Sequence, residues 1–202
     1  YSSMYMQFMD GMDVIGSTAA ISEGANLELI DFSNPANPAV LLQKDDGLNP
    51  KLFSKFYSDD ILFSHAGFFG SGALEIREIS TSTLKQLTLG GEPADIAFSG
   101  TYAFVTNKGS DQLQVIDFSS IPGASVVHTV ALGADPGSIS ISGHYAYVAN
   151  NGNDMLEVID ISNPLTASVM HTVSLGSDPR QVHTNGNYAF VLDGANALFQ
   201  II

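Results

Sequence analysis

Residues 136–160 read PGSISISGHYAYVANNGNDMLEVID. Residues 93–117 read PADIAFSGTYAFVTNKGSDQLQVID, and residues 179–202, PRQVHTNGNYAFVLDGANALFQII, begin a third copy. The copies lie about 43 residues apart and alternate apolar residues with Gly, Asn and Asp turns. A repeat of this length and composition is typical of a β-propeller blade, so the sequence predicts an all-β fold built of four-stranded antiparallel blades.

Each copy is predicted to contain four short strands. The first strand follows a proline, and a tight turn at Gly100, Gly143 or Gly186 joins it to the second strand. A loop rich in Asn, Gly and Asp leads to the third strand, and a turn containing Ser and Pro leads to the fourth. The middle strands are rich in apolar residues because stacked blades cover both of their faces.

Two worn copies precede the clear ones. The stretch LELIDFSNP at 27–35 matches LEVIDISNP at 156–164 almost letter for letter, and LEIREI at 74–79 is a weaker match with Glu78 where the others have Asp. The sequence therefore predicts five repeat units in one domain, at approximately 10–44, 45–90, 91–133, 134–176 and 177–202.

The fifth unit lacks a fourth strand, and residues 4–9 form a strand-like stretch before the first unit. A propeller must avoid an exposed sheet edge and an uncovered blade face. We therefore expect residues 4–9 to close the last blade and give a five-bladed ring, which would be a monomer. The alternative is a segment of a larger ring, such as a seven-bladed one, which would associate with further blades or chains.

The repeats resemble the YVTN and LVIVD families of β-propeller repeats. YVAN at 147–150 and FVTN at 104–107 are similar to the first, and LEVIDISNP at 156–164 is similar to the second. The resemblance covers roughly residues 25–202. Because such repeats occur in bacterial and archaeal surface-layer and secreted proteins, it implies an extracellular or cell-envelope location. Related propellers also support several enzymes, so the resemblance implies no single function.

The charge balance narrows the class of partner. Lys and Arg number 7 against 21 Asp and Glu, a formal net charge of −14. An acidic surface repels nucleic-acid phosphates and anionic lipid, so neither is an expected partner. The chain has no cysteine, which excludes disulfides and thiolate chemistry, and no apolar run long enough for membrane insertion.

The repeated polar residues are expected to stabilise the blades. Asp31, Asp117 and Asp160 each precede a Ser-containing turn, where a carboxylate accepts backbone N–H bonds. The Asn/Gly/Asp loops lack the alternating oxygen ligands of a calcium loop, so we predict no cofactor, with Ca²⁺ as the one metal considered. His128 and His171 are repeat equivalents, which favours a shared structural cause.

Candidate ligand-binding residues lie on the loops that enter the first strands, near the ring axis. His183 stands in a first strand where the other copies have Ala97 or Ser140, which suggests a residue that lines the channel. The leading hypothesis is a non-enzymatic surface or secreted module that binds a protein or glycan. The alternative is a propeller-type hydrolase or lyase with carboxylates near the axis. The full candidate set is Asp95, Asn107, Asp135, Asn150, Asp178, Arg180 and His183.

Overall fold

A computed structural model describes residues 9–23, 26–45, 54–58, 60–66, 72–176, 178–194 and 199–201. In these ranges the chain forms nineteen β-strands in five antiparallel sheets, with two single-turn 3₁₀ helices at Lys108–Ser110 and Pro164–Thr166. The same ranges contain no helix long and apolar enough to cross a membrane. The all-β prediction is therefore confirmed.

The chain divides into two compact units, Tyr1–Thr88 and Leu89–Ile202. The first unit holds two four-stranded sheets, which we call blades 1 and 2. Blade 1 consists of β1 (Met9–Ile15), β2 (Thr18–Glu23), β3 (Asn26–Asp31) and β4 (Ala39–Asp45). Blade 2 consists of β5 (Ser54–Ser58), β6 (Ile61–Ala66), β7 (Ala73–Glu78) and β8 (Thr83–Thr88).

The second unit holds three sheets, which we call blades 3, 4 and 5. Blade 3 consists of β9 (Pro93–Ser99), β10 (Tyr102–Asn107), β11 (Gln112–Asp117) and β12 (Ser125–Ala131). Blade 4 consists of β13 (Pro136–Ser142), β14 (Tyr145–Asn150), β15 (Met155–Asp160) and β16 (Ser168–Ser174). Blade 5 has three described strands, β17 (Pro179–Asn185), β18 (Tyr188–Asp193) and β19 (Phe199–Ile201).

The tight turns form where the sequence predicts them. Gly100, Gly143 and Gly186 have φ of 54°, 59° and 58°, a left-handed conformation that glycine adopts without steric cost. Each turn joins the first strand of a blade directly to the second, as in Ser142↔Tyr145. The first strands begin at the predicted prolines themselves.

Residues 4–8 of the predicted closing strand lie outside the described residues. Met9, its last residue, begins β1 and pairs with Glu23 of β2. Within the described part of the chain, Met9 therefore belongs to blade 1.

The repeated aspartates cap turns, as predicted. Asp31 accepts a hydrogen bond from the backbone N–H of Ser33 at 2.8 Å, and Asp160 accepts one from Ser162 at 2.9 Å. These backbone bonds hold the pKa of both carboxyls below 3.8 because they stabilise the charged form. Asp117 makes the same bond to Ser119 at 2.9 Å.

Blade 2 builds this turn with a different aspartate. Ser80 stands two residues after Glu78 and donates its hydroxyl and its N–H to Asp60, at 2.7 and 2.6 Å. The side-chain bond from Ser80, followed by the backbone bond, lowers the pKa of Asp60. The departure at Glu78 is thus compensated from the turn between β5 and β6.

Apolar side chains fill the spaces between neighbouring blades. Phe104 of blade 3 is fully buried in one cluster with Ile139 and Val148 of blade 4. Leu156 of blade 4 packs in the same way with Val182 of blade 5. In the first unit, a third cluster joins blades 1 and 2 through Ala20, Leu27, Leu29, Phe56 and Leu62.

Candidate functional site

Asp95 holds two blades together. Its Oδ2 accepts hydrogen bonds from the hydroxyl of Ser138 at 3.1 Å and from the N–H of Ile139 at 3.0 Å. Its Oδ1 accepts a bond from the N–H of Ile96 at 2.8 Å. Both carboxylate oxygens therefore have donors from the protein, and the side chain joins β9 to β13.

Similar bonds join the first strands of other blades. Asp13 of β1 accepts from the N–H of Phe56 in β5 at 2.8 Å. Ser140 of β13 accepts from the N–H of Thr184 in β17 at 3.1 Å. Each donor follows its acceptor by 43 or 44 residues, which is one repeat. Polar side chains of the first strands thus serve the contact between blades.

Four loop aspartates form a second repeated contact. Asp111, Asp135, Asp154 and Asp178 all have φ between 51° and 56°. The N–H of Asp135 donates to the carboxylate of Asp111 at 2.9 Å, and the N–H of Asp178 donates to Asp154 at 2.8 Å. Asp tolerates the left-handed region better than most residues because its short side chain bonds locally. Asp135 and Asp178 therefore shape the loops that enter β13 and β17.

Asn107 and Asn150 occupy equivalent positions at the ends of β10 and β14, and both are fully buried. The amide nitrogen of Asn107 donates to the carbonyl of Leu89 at 3.0 Å and to Oε1 of Gln114 at 3.2 Å. The side-chain oxygen and nitrogen of Asn150 have no hydrogen-bond partner among the described residues. Neither side chain reaches solvent, so both candidates lie inside the blades.

His128 also joins neighbouring blades. One of its ring nitrogens, Nε2, lies 2.9 Å from the carbonyl of Ala167, in the turn that precedes β16. This contact links blade 3 to blade 4. Its repeat equivalent, His171, is exposed.

Two cavities adjoin along the first strands of the second unit. The first, which we call the polar pocket, has a volume of about 320 Å³. The second, which we call the apolar pocket, has a volume of about 300 Å³. Ser138 and Gln181 line both cavities, so together the cavities form one candidate binding region. Both volumes lie at the lower end of the range for ligand sites, about 300–1,000 Å³. The polar pocket is also lined by Asp95, Lys108, Asn151 and Arg180.

The polar pocket contains both cations of the second unit. Lys108 and Arg180 are the only Lys or Arg between residues 89 and 202, against ten Asp and Glu. Arg180 donates from Nε to the carboxylate of Asp178 at 2.8 Å, and Lys108 Nζ lies 4.0 Å from a carboxylate oxygen of Asp135. The aspartates of the entry loops thus set the direction of the two cationic side chains.

At two equivalent repeat positions, the small and the large residue are interchanged between blade 4 and blade 5. In blade 4 a Cβ on Gly137 would lie 3.2 Å from the Oδ1 of Asn151, so the small residue leaves room for the amide. In blade 5 the order is reversed, since a Cβ on Gly194 would lie 2.2 Å from Nε of Arg180. The glycine at 194 therefore makes space for the guanidinium. In blade 3 the same two positions hold Ala94 and Lys108.

The apolar pocket lies on blade 5 and is lined by Val182, His183, Phe190 and Leu192, beside the shared Ser138 and Gln181. Strand pairing places His183 opposite Phe190 and Gln181 opposite Leu192, so these four residues share one face of the sheet. Tyr188 stands on the same face with its ring centroid 6.4 Å from that of Phe190. This face offers two aromatic rings next to polar groups.

The structure separates the sequence-predicted candidates into three groups. Asp95 and Arg180 line the polar pocket, and His183 lines the apolar pocket. Asp135 and Asp178 lie beside the polar pocket and contact its cations. Asn107 and Asn150 are buried within their blades and line neither cavity.

Sequence reasoning missed Lys108, Gln181 and Phe190 as lining residues. A count of positive charges along the chain would have found Lys108, because it shares residues 89–202 only with Arg180. Gln181 and Phe190 gave no such signal, since both continue the pattern of a strand.

The carboxylates near the pockets are all engaged with the protein. Asp95 accepts three hydrogen bonds, Asp178 accepts from Arg180, and Asp135 lies within ion-pair distance of Lys108. In the described ranges no group of three or more His, Asp or Glu side chains is arranged to hold a metal ion. The arrangement is suited to binding through hydrogen bonds, one charged group and an aromatic face.

Three solved structures illustrate what this chain is similar to. A functionally unknown protein from Desulfotomaculum acetoxidans DSM 771 matches with a TM-score of 0.81 at 11% identity, over 100% of this chain and 70% of its own. Hydrazine synthase of Kuenenia stuttgartiensis matches with a TM-score of 0.77 at 13% identity, over 93% and 68%. The β-propeller domain of Cps50 (Swd1) from Myceliophteria thermophila matches with a TM-score of 0.73 at 12% identity, over 92% and 66%. At these identities the likeness shows the fold alone.

The sequence comparisons give the family. Among the curated proteins none matches this chain. The model of the LVIVD repeat matches residues 14–45, 90–122, 133–173 and 176–201, which together make up more than half of the chain. These stretches fall on blades 1, 3, 4 and 5, and the worn blade 2 is left out. The chain is a β-propeller protein of the LVIVD repeat family.

Proposed function

We propose that this protein is a non-enzymatic binding module that holds a protein or glycan partner in the polar and apolar pockets. One observation carries the proposal: both cations of residues 89–202 line one cavity, and Phe190, with Tyr188 beside it, lines the adjoining one. Ser138, Gln181 and His183, which line the pockets, belong to first strands that hydrogen bonds join to neighbouring blades. Residues on such strands are fixed before the ligand arrives, which lowers the entropy cost of binding.

The proposal includes an extracellular or cell-envelope location and excludes nucleic-acid partners. The location is supported by the resemblance to repeats of surface-layer and secreted proteins. The exclusion is supported by the net charge of −14, because a polyanionic phosphate backbone would be repelled.

The test is a comparison of matched variants on arrays of immobilised glycans and of surface proteins. The site variant is Arg180→Ala combined with Phe190→Ala, which removes a cation from one pocket and a ring from the other. The control is Met170→Ala on β16, a residue 63% exposed that lines neither pocket. We expect the wild type and the control to bind the same array members and the site variant to lose them. Unchanged binding by a folded site variant would contradict the proposal.

A further inference from the structure

We propose that the ligand of the two pockets is a glycan that carries a single carboxylate, as in a terminal sugar acid. This inference rests on the function proposed above and names the chemistry that the site recognises. In this arrangement the carboxylate enters the polar pocket, and a sugar ring lies in the apolar pocket.

The geometry of Arg180 provides the first argument. Its Nε is engaged by Asp178 at 2.8 Å, which fixes the plane of the guanidinium. Its two terminal nitrogens have no partner within the described part of the chain, and the side chain is 65% exposed. A guanidinium held by Nε presents those nitrogens side by side, the spacing at which a carboxylate accepts two parallel hydrogen bonds. Arg180 is therefore oriented for a carboxylate ligand.

Lys108 supplies the second positive charge of the same pocket. Its Nζ lies 4.0 Å from the carboxylate of Asp135, which is longer than a hydrogen bond, and its side chain is 38% exposed. The ammonium has three donors, so donors remain for a ligand. Asp95, the negative group of this pocket, already accepts three bonds from the protein, and these donors offset part of its charge.

The apolar pocket fits one face of a sugar ring. Phe190 and Leu192 offer an apolar wall, while Gln181 and His183 place hydrogen-bonding groups beside it. A pyranose ring has an apolar C–H face and a rim of hydroxyls, so it matches a wall of this mixed kind. Tyr188 is 59% exposed next to Phe190 and extends the aromatic surface.

The negative charge of residues 89–202 favours a ligand with a single carboxylate. Residues 89–202 contain ten acidic residues, and outside the polar pocket they have no Lys or Arg to meet further anionic groups. At physiological salt the Debye length is about 8 Å, so Arg180 and Lys108 attract only an anionic group that lies close to them. A polyanion would extend beyond that range onto acidic surface. A chain end with one sugar acid avoids this repulsion.

The experiment uses pairs of small glycosides that differ only at the carboxylate. Methyl glucuronide is compared with methyl glucoside, and methyl galacturonide with methyl galactoside, by NMR titration of the 202-residue chain. Three variants accompany the wild type: Arg180→Gln, Phe190→Ala and the control Lys85→Gln, which removes one positive charge from residues 1–88. Circular dichroism confirms that each variant is folded.

We expect at least one acid to bind roughly tenfold more tightly than its neutral partner, which is the gain expected from one charged bidentate contact. Arg180→Gln should abolish this difference, Phe190→Ala should weaken acid and neutral sugar alike, and Lys85→Gln should change neither. A higher NaCl concentration should weaken the binding of the sugar acid and leave the binding of the neutral sugar unchanged.

Equal affinities for acid and neutral sugars, or no binding of any acid, would overturn the inference. The function proposed above survives that result if array partners still depend on Arg180 and Phe190, so the two failures are distinguishable. A peptide with a free C-terminal carboxylate that binds the pockets more tightly than every sugar acid would also overturn it.

Discussion

Asn107→Ala and Asn150→Ala remove the same atoms from the same repeat position, but they should have different effects on stability. Both asparagines are fully buried at the end of a second strand. The amide of Asn107 donates two hydrogen bonds, to Leu89 and to Gln114, whereas the amide of Asn150 has no partner among the described residues. The apolar and cavity terms of the two substitutions are similar, so they cancel in the comparison.

The difference in the free energy of unfolding then reports the two bonds. A buried neutral hydrogen bond contributes a net of about 0.5–1.5 kcal/mol, so Asn107→Ala should cost about 1–3 kcal/mol more than Asn150→Ala. The loss leaves Oε1 of Gln114 without this donor in a buried position, which favours the upper half of that range.

Urea unfolding followed by circular dichroism measures both variants against the wild type. A difference of about 2 kcal/mol corresponds to about 4–8 °C in Tm for a chain of this size. The comparison requires unchanged m-values, since a change in m would mean a change in compactness. Equal losses for the two variants would refute the reasoning, because they would mean that the partners of Asn107 contribute nothing to stability.

Four further predictions follow from the repeats. Phe104→Ala should lower the free energy of unfolding, measured in urea, by about 3–5 kcal/mol. Phe190→Ala, at the equivalent but half-buried position, should lower it by roughly half of that or less; equal losses would contradict the difference in burial. Gly143→Ala should lower the free energy of unfolding by about 1–2 kcal/mol in the same assay, because a side chain is strained at φ of 59° and no neighbouring atom contacts the new Cβ to offset that strain. A neutral result would show that the turn relaxes. The carboxyl of Asp160 has a pKa below 3.8 in the folded chain, so its contribution is present above that value and disappears as the pH falls through the lowered pKa. Asp160→Asn should therefore lower Tm at pH 6 and have little effect once the pH lies below that pKa; an equal effect at both would be inconsistent with titration of this group. Gly194→Ala should weaken the binding of a carboxylate ligand, because the new methyl would lie 2.2 Å from Nε of Arg180 and 2.7 Å from Oδ2 of Asp178 and would displace this bonded pair; unaltered binding would remove Arg180 from the site.

The strands and turns follow directly from local sequence. The second strands, predicted to follow the turns at Gly100, Gly143 and Gly186, are found there, at Tyr102–Asn107, Tyr145–Asn150 and Tyr188–Asp193. The signal is strong because alternation of apolar residues and an obligatory glycine turn act over a few residues. The turn role of Asp31, Asp117 and Asp160 was predictable for the same reason, since each carboxylate bonds an N–H two residues away.

The roles of the candidate site residues were less predictable because their partners lie in other blades. The carboxylate of Asp95 accepts hydrogen bonds from residues 43 and 44 positions later, and the N–H of Asp135 donates to the carboxylate of Asp111, 24 positions earlier. Nothing in the local pattern distinguishes such a carboxylate from a solvent-exposed one or a ligand-binding one. Blade 2 shows the same limit, since Asp60 replaces the missing turn aspartate from 20 positions away.

The binding region arises where the copies differ at a few shared positions. Every blade of the second unit has one small and one large residue at the same two repeat positions, and all of these residues except Gly194 line the polar pocket: Ala94 with Lys108, Gly137 with Asn151, and Gly194 with Arg180. In blades 3 and 4 the large residue follows the second strand, whereas in blade 5 the large residue, Arg180, lies in the first strand. Arg180 therefore enters the polar pocket from the other position of the pair. The repeated framework fixes where these side chains start, because one member of each pair is the second residue of a first strand and the other directly follows a second strand. On the proposed function, a substitution that respects the small–large pairing should change the ligand with little effect on the fold, whereas two large residues at one pair should crowd the loop. Lys108 and Arg180, the two cations of residues 89–202, each occupy the large position of their pair, so on the proposed function a change of ligand is expected to begin at these pairs.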